Sequence, residues 1–434
     1  MSATLPRPEP IATPTIHTLA NGTRVVCDPM PGLETLALSV VVGRGALYET
    51  PEQSGWAHLL EHMVFKGAGG RSAREIVEVI EAAGGHINAA TGHERTSFQV
   101  RALKGGLELA MAVVADLVLR PRLAAADLAK EKRVVAQEIA EAADVPDDLV
   151  FELAGALAYA GHPLGRPVLG TKASIGRAGP PALEAFRAAL YAPDRIVIVA
   201  AGAVDERELL ALAERWFSGA AAAEPAARPS PAPFVGGIKA LARPLEQAHL
   251  VMLLPAVGYT DPDHYAFRLF AEVLGGGMSS RLFQAVRERL GLAYAIDAYL
   301  EAHADVGVLG VYAGASAANA AKAASVAARE FRALCRSVDA AELARAKAQL
   351  KGSLFMARES AAARAEQAAA QLMVYDRLIP PSEIAARIDA VQPADIARAG
   401  DRALKSGRSA AALLGPKSAL PAADAFHAAL FDAG

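Results

Sequence analysis

The segment LALSVVVG, residues 36–43, is an apolar run that predicts a buried β-strand. A second apolar run, AHLVMLLPAVG, begins at Ala248, and a helix that carries charged residues follows each of these two strands. Each half then continues with further strands, long amphipathic helices and a closing strand, RIVIVAAG at 195–202 and SAAALLGP at 409–416. The repetition indicates a weak internal duplication, in which each unit is a mostly antiparallel sheet covered by helices, an α+β fold.

A shift in composition separates the two units. Residues 218–237, SGAAAAEPAARPSPAPFVGG, are rich in Ala, Pro, Gly and Ser and have no apolar period, as is typical of a linker. The chain has 434 residues, which is too long for one ordinary core. The sequence therefore predicts an N-terminal domain at 1–217, a linker at 218–237, and a C-terminal domain of the same fold at 238–434.

The composition argues against several classes of protein. Apolar residues make up 53% of the chain and charged residues 21%, which is enough for a large core. The net charge of −3 provides no basic surface for nucleic acid. Two distant cysteines, Cys27 and Cys335, form neither a disulfide framework nor a cysteine-based zinc site. Because there is no apolar leader and no membrane-length apolar window, we expect a cytoplasmic protein without membrane contact.

The segment SGWAHLLEHMVFKG, residues 54–67, has its apolar residues at helical spacing, with Ser54 as a candidate N-cap. At about 100° per residue, His58 and His62 point in nearly the same direction, one turn apart. Their imidazole nitrogens can therefore share one metal ion. Glu61 lies about 60° to the other side of His58, where it can reach a water near that metal without being a ligand. By itself, the string also fits three polar residues on an ordinary helix.

Two histidines leave a catalytic zinc site incomplete, because such sites have three protein ligands and an open position. The later helical segment DLAKEKRVVAQEIAEAADVPDD offers Glu131 and Glu138, which stand two turns apart on nearly the same face. Two more strings are informative: GGHINAATGHERTSFQV, which begins at Gly84, and RERLGLAY, which runs from Arg287 to Tyr294. On spacing alone, the last two residues are an ordinary surface arginine and a half-buried strand tyrosine.

Together these strings resemble the pitrilysin/insulinase family of zinc peptidases, in particular its shorter bacterial members and the mitochondrial processing peptidase subunits. The family has the inverted order of histidine and glutamate found at HLLEH, with a later glutamate as third ligand. The resemblance implies that His58, His62 and Glu138 bind one Zn²⁺ per chain. It also implies that Glu131 supports the site from outside the ligand set.

The resemblance assigns further roles to the remaining strings. In the family, the Asn-Ala segment lies on an edge strand that pairs with extended substrate, which is the role implied for Asn88 and Ala89. Arg287 and Tyr294 match a pair that hydrogen-bonds the substrate when two domains close over it. The implied function is a zinc-dependent endopeptidase that cleaves unfolded peptides in a closed chamber, using zinc-activated water with Glu61 as general base.

The resemblance also bears on the partners of the chain. Heterodimeric relatives often divide the zinc residues and the Arg/Tyr pair between two subunits, whereas this chain keeps both sets. We therefore expect a homodimer that acts on a peptide substrate, with a heterodimer left open. Two alternatives are a processing-peptidase subunit that needs a partner and a non-catalytic structural subunit on the same fold. A peptide-binding module without turnover is a third, against which the intact Glu61 argues.

Overall fold

The computed structural model describes residues 13–220 and 228–432, which form two β-sheets covered by helices. The first half contributes the strands β1 (Thr15–Thr18), β2 (Arg24–Pro29), β3 (Thr35–Val42), β4 (Gly67–Ala68), β5 (Arg71–Ser72), β6 (His86–Thr91), β7 (Thr96–Leu103) and β8 (Ile196–Gly202). The second half contributes β9 (Gly237–Ala242), β10 (Gln247–Val257), β11 (Ala293–Ala302), β12 (Val306–Ser316) and β13 (Ala410–Gly415). Strands β4 and β5 form a separate small hairpin.

The helices cover these sheets and connect their strands. Those of the first half are α1 (Trp56–Val64), α2 (Ala73–Ala82), α3 (Leu107–Leu119), α4 (Ala125–Asp144), α5 (Pro146–Ala158), α6 (Lys172–Gly176), α7 (Pro180–Leu190) and α8 (Glu206–Phe217). Those of the second half are α9 (His264–Gly275), α10 (Ala320–Arg336), α11 (Ala340–Ala357), α12 (Ala361–Tyr375), α13 (Pro381–Ala390), α14 (Pro393–Leu404) and α15 (Ala425–His427). A π-helical segment, Phe283–Arg289, precedes β11. Within the described residues, none of the helices has both the length and the apolar character of a membrane span.

Apart from the additional edge strand β1, the two large sheets have the same topology. Their strand orders are β1-β2-β8-β3-β7-β6 and β9-β13-β10-β12-β11. Each contains one parallel pair, β2 with β8 and β9 with β13, and its other neighbouring strands are antiparallel. Strands β3 and β10 therefore correspond, as do the edge strands β6 and β11. This confirms the predicted α+β duplication with mostly antiparallel sheets.

The first strand of each half was predicted wrongly. The sequence predicts β3 and β10 as the first strands, whereas β1 and β2 precede β3, and β9 precedes β10. Strands β2 and β9 pair with the closing strands β8 and β13. Strand β9, GIKALA, has no fully buried residue, so it lacks the apolar run by which β3 and β10 were identified. Strand β2 is short and has a polar or partly exposed residue at each end.

The two halves exchange one helix each. Helix α5 packs on the second sheet, where Val150 and Ala154 join a cluster with Val251. Helix α12 packs on the first sheet, where Ala365 and Leu372 join a cluster that includes Val26, Val41 and Val199. Because α5 and α12 occupy corresponding places in the two halves, the exchange follows the duplication. Each sheet is thus covered partly by the other half of the chain.

A buried ion pair accompanies this exchange. Asp28 on β2 and Arg364 on α12 are 2% and 7% exposed, and Nε of Arg364 donates to Oδ2 of Asp28 at 2.6 Å. A second guanidinium nitrogen donates to the other carboxylate oxygen, so the pair is bidentate. Glu366, on the same helix, accepts hydrogen bonds from Ser39 and Gln99, both at 2.8 Å. The helix from the second half is therefore fixed by both polar and apolar contacts.

The predicted division at 217 and 238 remains a prediction. The first sheet and α8 end before residue 218 and the second sheet begins at Gly237, which agrees with two units. The exchange of α5 and α12 means that a cut at the linker does not separate two independent cores. Part of the predicted linker, residues 221–227, lies outside the described residues.

We predict that Arg364→Met destabilises the protein by about 3–5 kcal/mol, because it leaves the buried Asp28 carboxylate without its cation. Urea unfolding measures this change. Asp376→Asn is the control: it removes an ion pair from Arg24 to an 89%-exposed carboxylate, and should cost less than about 1 kcal/mol. Equal effects of the two substitutions would contradict the importance of the buried pair.

Candidate metal centre

One face of α1 is completely buried. Leu59, Leu60, Met63 and Val64 are all 0% exposed and belong to the core of the first half. The other face carries the polar residues and packs toward α4 and β6. The rotation of the helix about its axis is therefore set by its apolar residues, as the spacing in the sequence predicts.

The N-terminus of α1 differs from the prediction. Ser54 does not cap the helix: the N-cap is Gly55, with φ of 88°, which has no side chain to accept the first N–H groups. The buried carboxylate of Glu49 instead accepts the backbone N–H groups of Gly55 and Ala57, at 2.9 and 2.7 Å. A Cβ at position 55 would lie 2.5 Å from the carbonyl oxygen of Leu169, so only glycine fits. The start of α1 is thus held by residues distant from the motif.

Three candidate ligand side chains converge at the polar face of α1. Oε2 of Glu138, on α4, lies 3.9 Å from Nε2 of His58 and 3.5 Å from Nε2 of His62. Three ligand atoms, one from each side chain, all lie within 4.8 Å of one another. Two imidazole nitrogens and a carboxylate oxygen are a donor set that suits Zn²⁺ and leaves a fourth position open. The residues present therefore fit a catalytic metal ion.

Glu131 orients one of these histidines. Its Oε2 lies 3.2 Å from Nδ1 of His62, so that Nε2 of the same ring is left to face Glu138. Its Oε1 pairs with the ammonium group of Lys66 at 3.0 Å. A carboxylate on the far nitrogen of a ligand imidazole fixes the ring and its tautomer, which is the supporting arrangement common at metal sites.

The environment of α1 adjusts the protonation of its polar residues. Burial, and next the neighbouring His62, lower the pKa of His58 to about 4, so its imidazole is neutral near pH 7, the form that binds metal. Burial raises the pKa of the Glu61 carboxyl, while Thr91 and His62 beside it act in the opposite direction. Oε2 of Glu61 is buried and has no hydrogen-bond partner among the described residues. This carboxylate is therefore available for a proton from a bound molecule.

A cleft of about 350 Å³ connects the metal centre to the edge of the first sheet. Its lining includes Glu61 and His62 on α1 together with Asn88 and Ala89 on β6. Strand β6 ends the strand order and pairs only with β7, so its other edge is free within the described residues. An extended peptide added to that edge would pass beside Glu61.

Arg287 and Tyr294 lie elsewhere, in the second half. The Arg287 guanidinium carbon lies 4.7 Å from the ring centroids of Tyr294 and of Phe283. Tyr294 is 76% exposed and is the extra residue of a bulge in the edge strand β11, where the pairing shifts between Ala293 and Ala295. Among the residues that the structure describes, no hydrogen bond or ion pair joins the pair to the metal centre. The pair is formed, but it faces solvent.

The structure thus brings together most of the predicted site residues. His58, Glu61, His62, Glu131 and Glu138 meet at one point, with Asn88 and Ala89 along the adjoining cleft, and Arg287 with Tyr294 stands apart. Three contributors were not predicted from the sequence: Glu49, which holds the start of α1, Lys66, which pairs with Glu131, and Thr91 beside Glu61. Lys66 could have been found, because it lies one turn after His62. The other two depend on contacts between distant segments.

Comparison with known proteins supports the same class. The family model described as "Insulinase (Peptidase family M16)" matches residues 24–172, and "Peptidase M16 inactive domain" matches residues 179–350. An "uncharacterized zinc protease" of Rickettsia bellii is 35% identical over 404 residues, covering 93% of this chain and 98% of the relative. One of Bacillus subtilis is also 35% identical, over 79% of this chain and 84% of the relative. These matches define a peptidase fold of the insulinase type. The chain belongs to peptidase family M16.

Solved structures agree on the fold. A protease from Helicobacter pylori has a TM-score of 0.84 at 20% identity, covering 94% of this chain and 100% of that one. A peptidase M16 inactive domain from Pseudomonas fluorescens has a TM-score of 0.85 at 22% identity, covering 94% and 98%. At these identities the likeness concerns the architecture alone.

We predict that Glu49 gives the stability a pH dependence. Burial raises the pKa of its carboxyl to about 7, from an ordinary value near 4.5, although the N–H groups of Ala57 and Gly55 oppose the increase. A raised pKa contributes stability that is full below about pH 4.5 and is lost as pH rises through 7. Relative to Glu49→Gln, the wild-type chain should therefore lose on the order of 2–3 kcal/mol of unfolding free energy across that range.

Urea unfolding of chelator-treated protein at several pH values measures the difference. Glu141→Gln, at an exposed position on α4, is the matched control and should follow the wild-type curve within about 0.5 kcal/mol. Parallel curves for wild type and Glu49→Gln would show that the buried carboxyl does not titrate in this range.

Proposed function

We propose that this protein is a zinc-dependent endopeptidase that cleaves unfolded peptides or short protein segments. The observation that carries the proposal is the approach of His58, His62 and Glu138 to within ligand-sharing distance, beside the Oε2 atom of Glu61, which is buried and has no hydrogen-bond partner among the described residues. The naming of full-length relatives as zinc proteases supports the choice of metal. The proposal assigns one metal ion to each chain.

The chemistry divides between the metal and the side chains. His58, His62 and Glu138 would hold the zinc ion, which when bound supplies a Lewis acid and lowers the pKa of water to ~7. Glu61 accepts the proton of the attacking water and returns it to the leaving amine. Burial raises the pKa of its carboxyl, which favours acceptance of that proton. Glu131 holds the His62 ring in place during this exchange.

Substrate binding is proposed at the free edge of β6. Main-chain hydrogen bonds to the strand that contains Asn88 and Ala89 would hold a peptide in extended form, next to Glu61. Such bonds do not depend on the side chains of the peptide, so the enzyme is expected to accept a broad range of unfolded sequences. An unfolded segment can adopt the extended form that this pairing needs, whereas most backbone groups of a folded protein are already hydrogen-bonded.

We further propose that the enzyme is a homodimer in which Arg287 and Tyr294 act on the substrate of the partner chain. Among the described residues no hydrogen bond or ion pair joins them to the metal centre of their own chain, and Tyr294 is 76% exposed; both observations support this arrangement. Both side chains are hydrogen-bond donors and would stabilise the developing oxyanion. The alternatives remain a subunit that needs a different partner and a non-catalytic structural subunit.

We predict that Glu61→Gln retains metal and loses at least about a hundredfold in hydrolysis of a quenched fluorescent peptide, because the proton acceptor is removed. Glu138→Ala should lower both metal content and turnover. Glu78→Gln removes an exposed carboxylate of α2 and serves as the control, with unchanged activity. Wild-type turnover in Glu61→Gln would refute the mechanism, and full metal occupancy in Glu138→Ala would refute the ligand assignment.

Mixing two inactive variants tests the homodimer. Glu61→Gln chains lack the base and Tyr294→Phe chains lack the phenol, so neither homodimer should turn over at the wild-type rate. If the pair acts on the partner's substrate, a mixed dimer contains one complete site, and unfolding and refolding the mixture together should restore a quarter or more of wild-type activity, about the share expected from random pairing. No gain above the separate variants would show that the pair acts within its own chain, or that the protein works alone.

A further inference from the structure

The duplication gives the metal centre a counterpart in the second half. Helices α1 and α4 carry the candidate ligands, and they stand between the same strands as α9 and α11. As α1 packs on α4, so α9 packs on α11. In the residues that the structure describes, His58, His62 and Glu138 are the one group with converging metal-ligand atoms. The inner face of α11 carries Leu343, Ala346 and Leu350 instead. The second pair of helices has therefore kept the scaffold without the metal chemistry.

A cavity of about 500 Å³ lies against α9 and α11, between the two halves of the chain. This volume falls within the range of about 300–1,000 Å³ that is usual for small-molecule sites. One wall is apolar and is formed by α11, α12 and α13, with the residues Leu350, Leu354, Val374, Ile384 and Ile388. Because α12 is the helix exchanged onto the first sheet, a ligand on this wall would contact the element that joins the halves.

The lining of the cavity carries an excess of positive charge. It contains four arginines, Arg44, Arg95, Arg228 and Arg268, and one carboxylate, Glu94. Glu94 is already paired with Arg228 at 2.8 Å, and Arg228 also contacts Asp305 at 3.1 Å. The charge of Arg228 is thus balanced within the protein.

Two of the other arginines, Arg95 and Arg268, are exposed and less well balanced. Glu272 interacts electrostatically with Arg268 from one turn further along α9, but no described residue forms an ion pair with Arg268. Arg95 reaches Glu366 only at 3.9 Å, and that carboxylate already accepts bonds from Ser39 and Gln99. Arg44 is already engaged, because its guanidinium donates to the Tyr48 hydroxyl and lies 4.0 Å from the centre of that ring. An anion in the cavity would balance the charge of Arg95 and Arg268.

We propose that this cavity binds a carboxylate that carries an apolar chain, with the carboxylate on Arg268 and the chain against Leu350 and Leu354. Arginine pairs with carboxylates through two parallel hydrogen bonds, which makes it well suited to this headgroup. A fatty acid and a peptide ending in apolar residues present the same chemistry. Since the walls come from both halves, the bound ligand stabilises their association, and binding raises the unfolding temperature.

Calorimetric titration of the full chain tests the proposal with four ligands. They are decanoate, below the concentration at which it forms micelles, decanol, acetyl-trileucine with a free carboxylate, and acetyl-trileucine amide. We expect one or both carboxylates to bind and the neutral analogues to bind at least about tenfold more weakly. Binding of decanoate alone or of the peptide acid alone identifies the source of the ligand. If neither carboxylate binds, or the neutral analogues bind equally well, the proposal is wrong.

Variants locate the site. Arg268→Gln should weaken carboxylate binding at least about tenfold, and Ala370→Phe should do so by filling the cavity. Arg336→Gln removes an exposed arginine on α10 outside the lining and should leave binding unchanged. Carboxylates also bind metal ions, so Glu138→Ala is measured in parallel. If carboxylate binding is lost in Glu138→Ala but kept in Arg268→Gln, the ligand binds at the metal centre. That result would overturn the proposal. Circular dichroism of each variant shows whether it is folded.

Discussion

The burial of one face of α1 is the constraint on which the metal centre depends. Leu59, Leu60, Met63 and Val64 are each fully buried, and each contributes on the order of 1.5–3 kcal/mol through removal from water. Turning the helix to move its polar face would expose these side chains. Glu49 and the glycine at position 55 limit movement at the start of the helix. The imidazoles of His58 and His62 are therefore held toward α4 before any metal binds.

How much of this could be predicted depends on the range of the interactions. The direction of His58, Glu61 and His62 follows from the helical period, a local property, and the structure agrees with it. That Glu131 and Glu138 belong to the same site required the family resemblance, because nothing local relates α4 to α1. The role of Glu49 could not be predicted, because it depends on the path of the loop before the helix. That path brings the Glu49 carboxylate to the first N–H groups of α1. Ser54 satisfies the sequence rule for an N-cap, but the buried carboxylate of Glu49 accepts the N–H groups at the start of the helix instead.

The exchange of α5 and α12 was unpredictable for a related reason. Amphipathic spacing shows that a helix has an apolar face, but it does not show which sheet will cover that face. Val150 on α5 and Leu372 on α12 are apolar side chains that could pack on either sheet. The duplicated topology nevertheless makes the exchange symmetrical, because corresponding helices cross in both directions. The same scaffold then carries a candidate metal centre at α1 and α4 and an arginine-lined cavity at α9 and α11, so that fold and site vary separately.

The exchange also bears on how a peptide could be enclosed. Separating the halves of one chain would expose the clusters around Val251 and Val199 and break the pair of Asp28 with Arg364. The exposed apolar side chains dominate this cost, because separation returns both charges of the pair to water and leaves neither of them buried alone. Closing a chamber by hinge motion within one chain is therefore energetically unfavourable. We infer that enclosure falls to the contact between two chains, which is also where the solvent-facing Tyr294 would meet a metal centre other than its own.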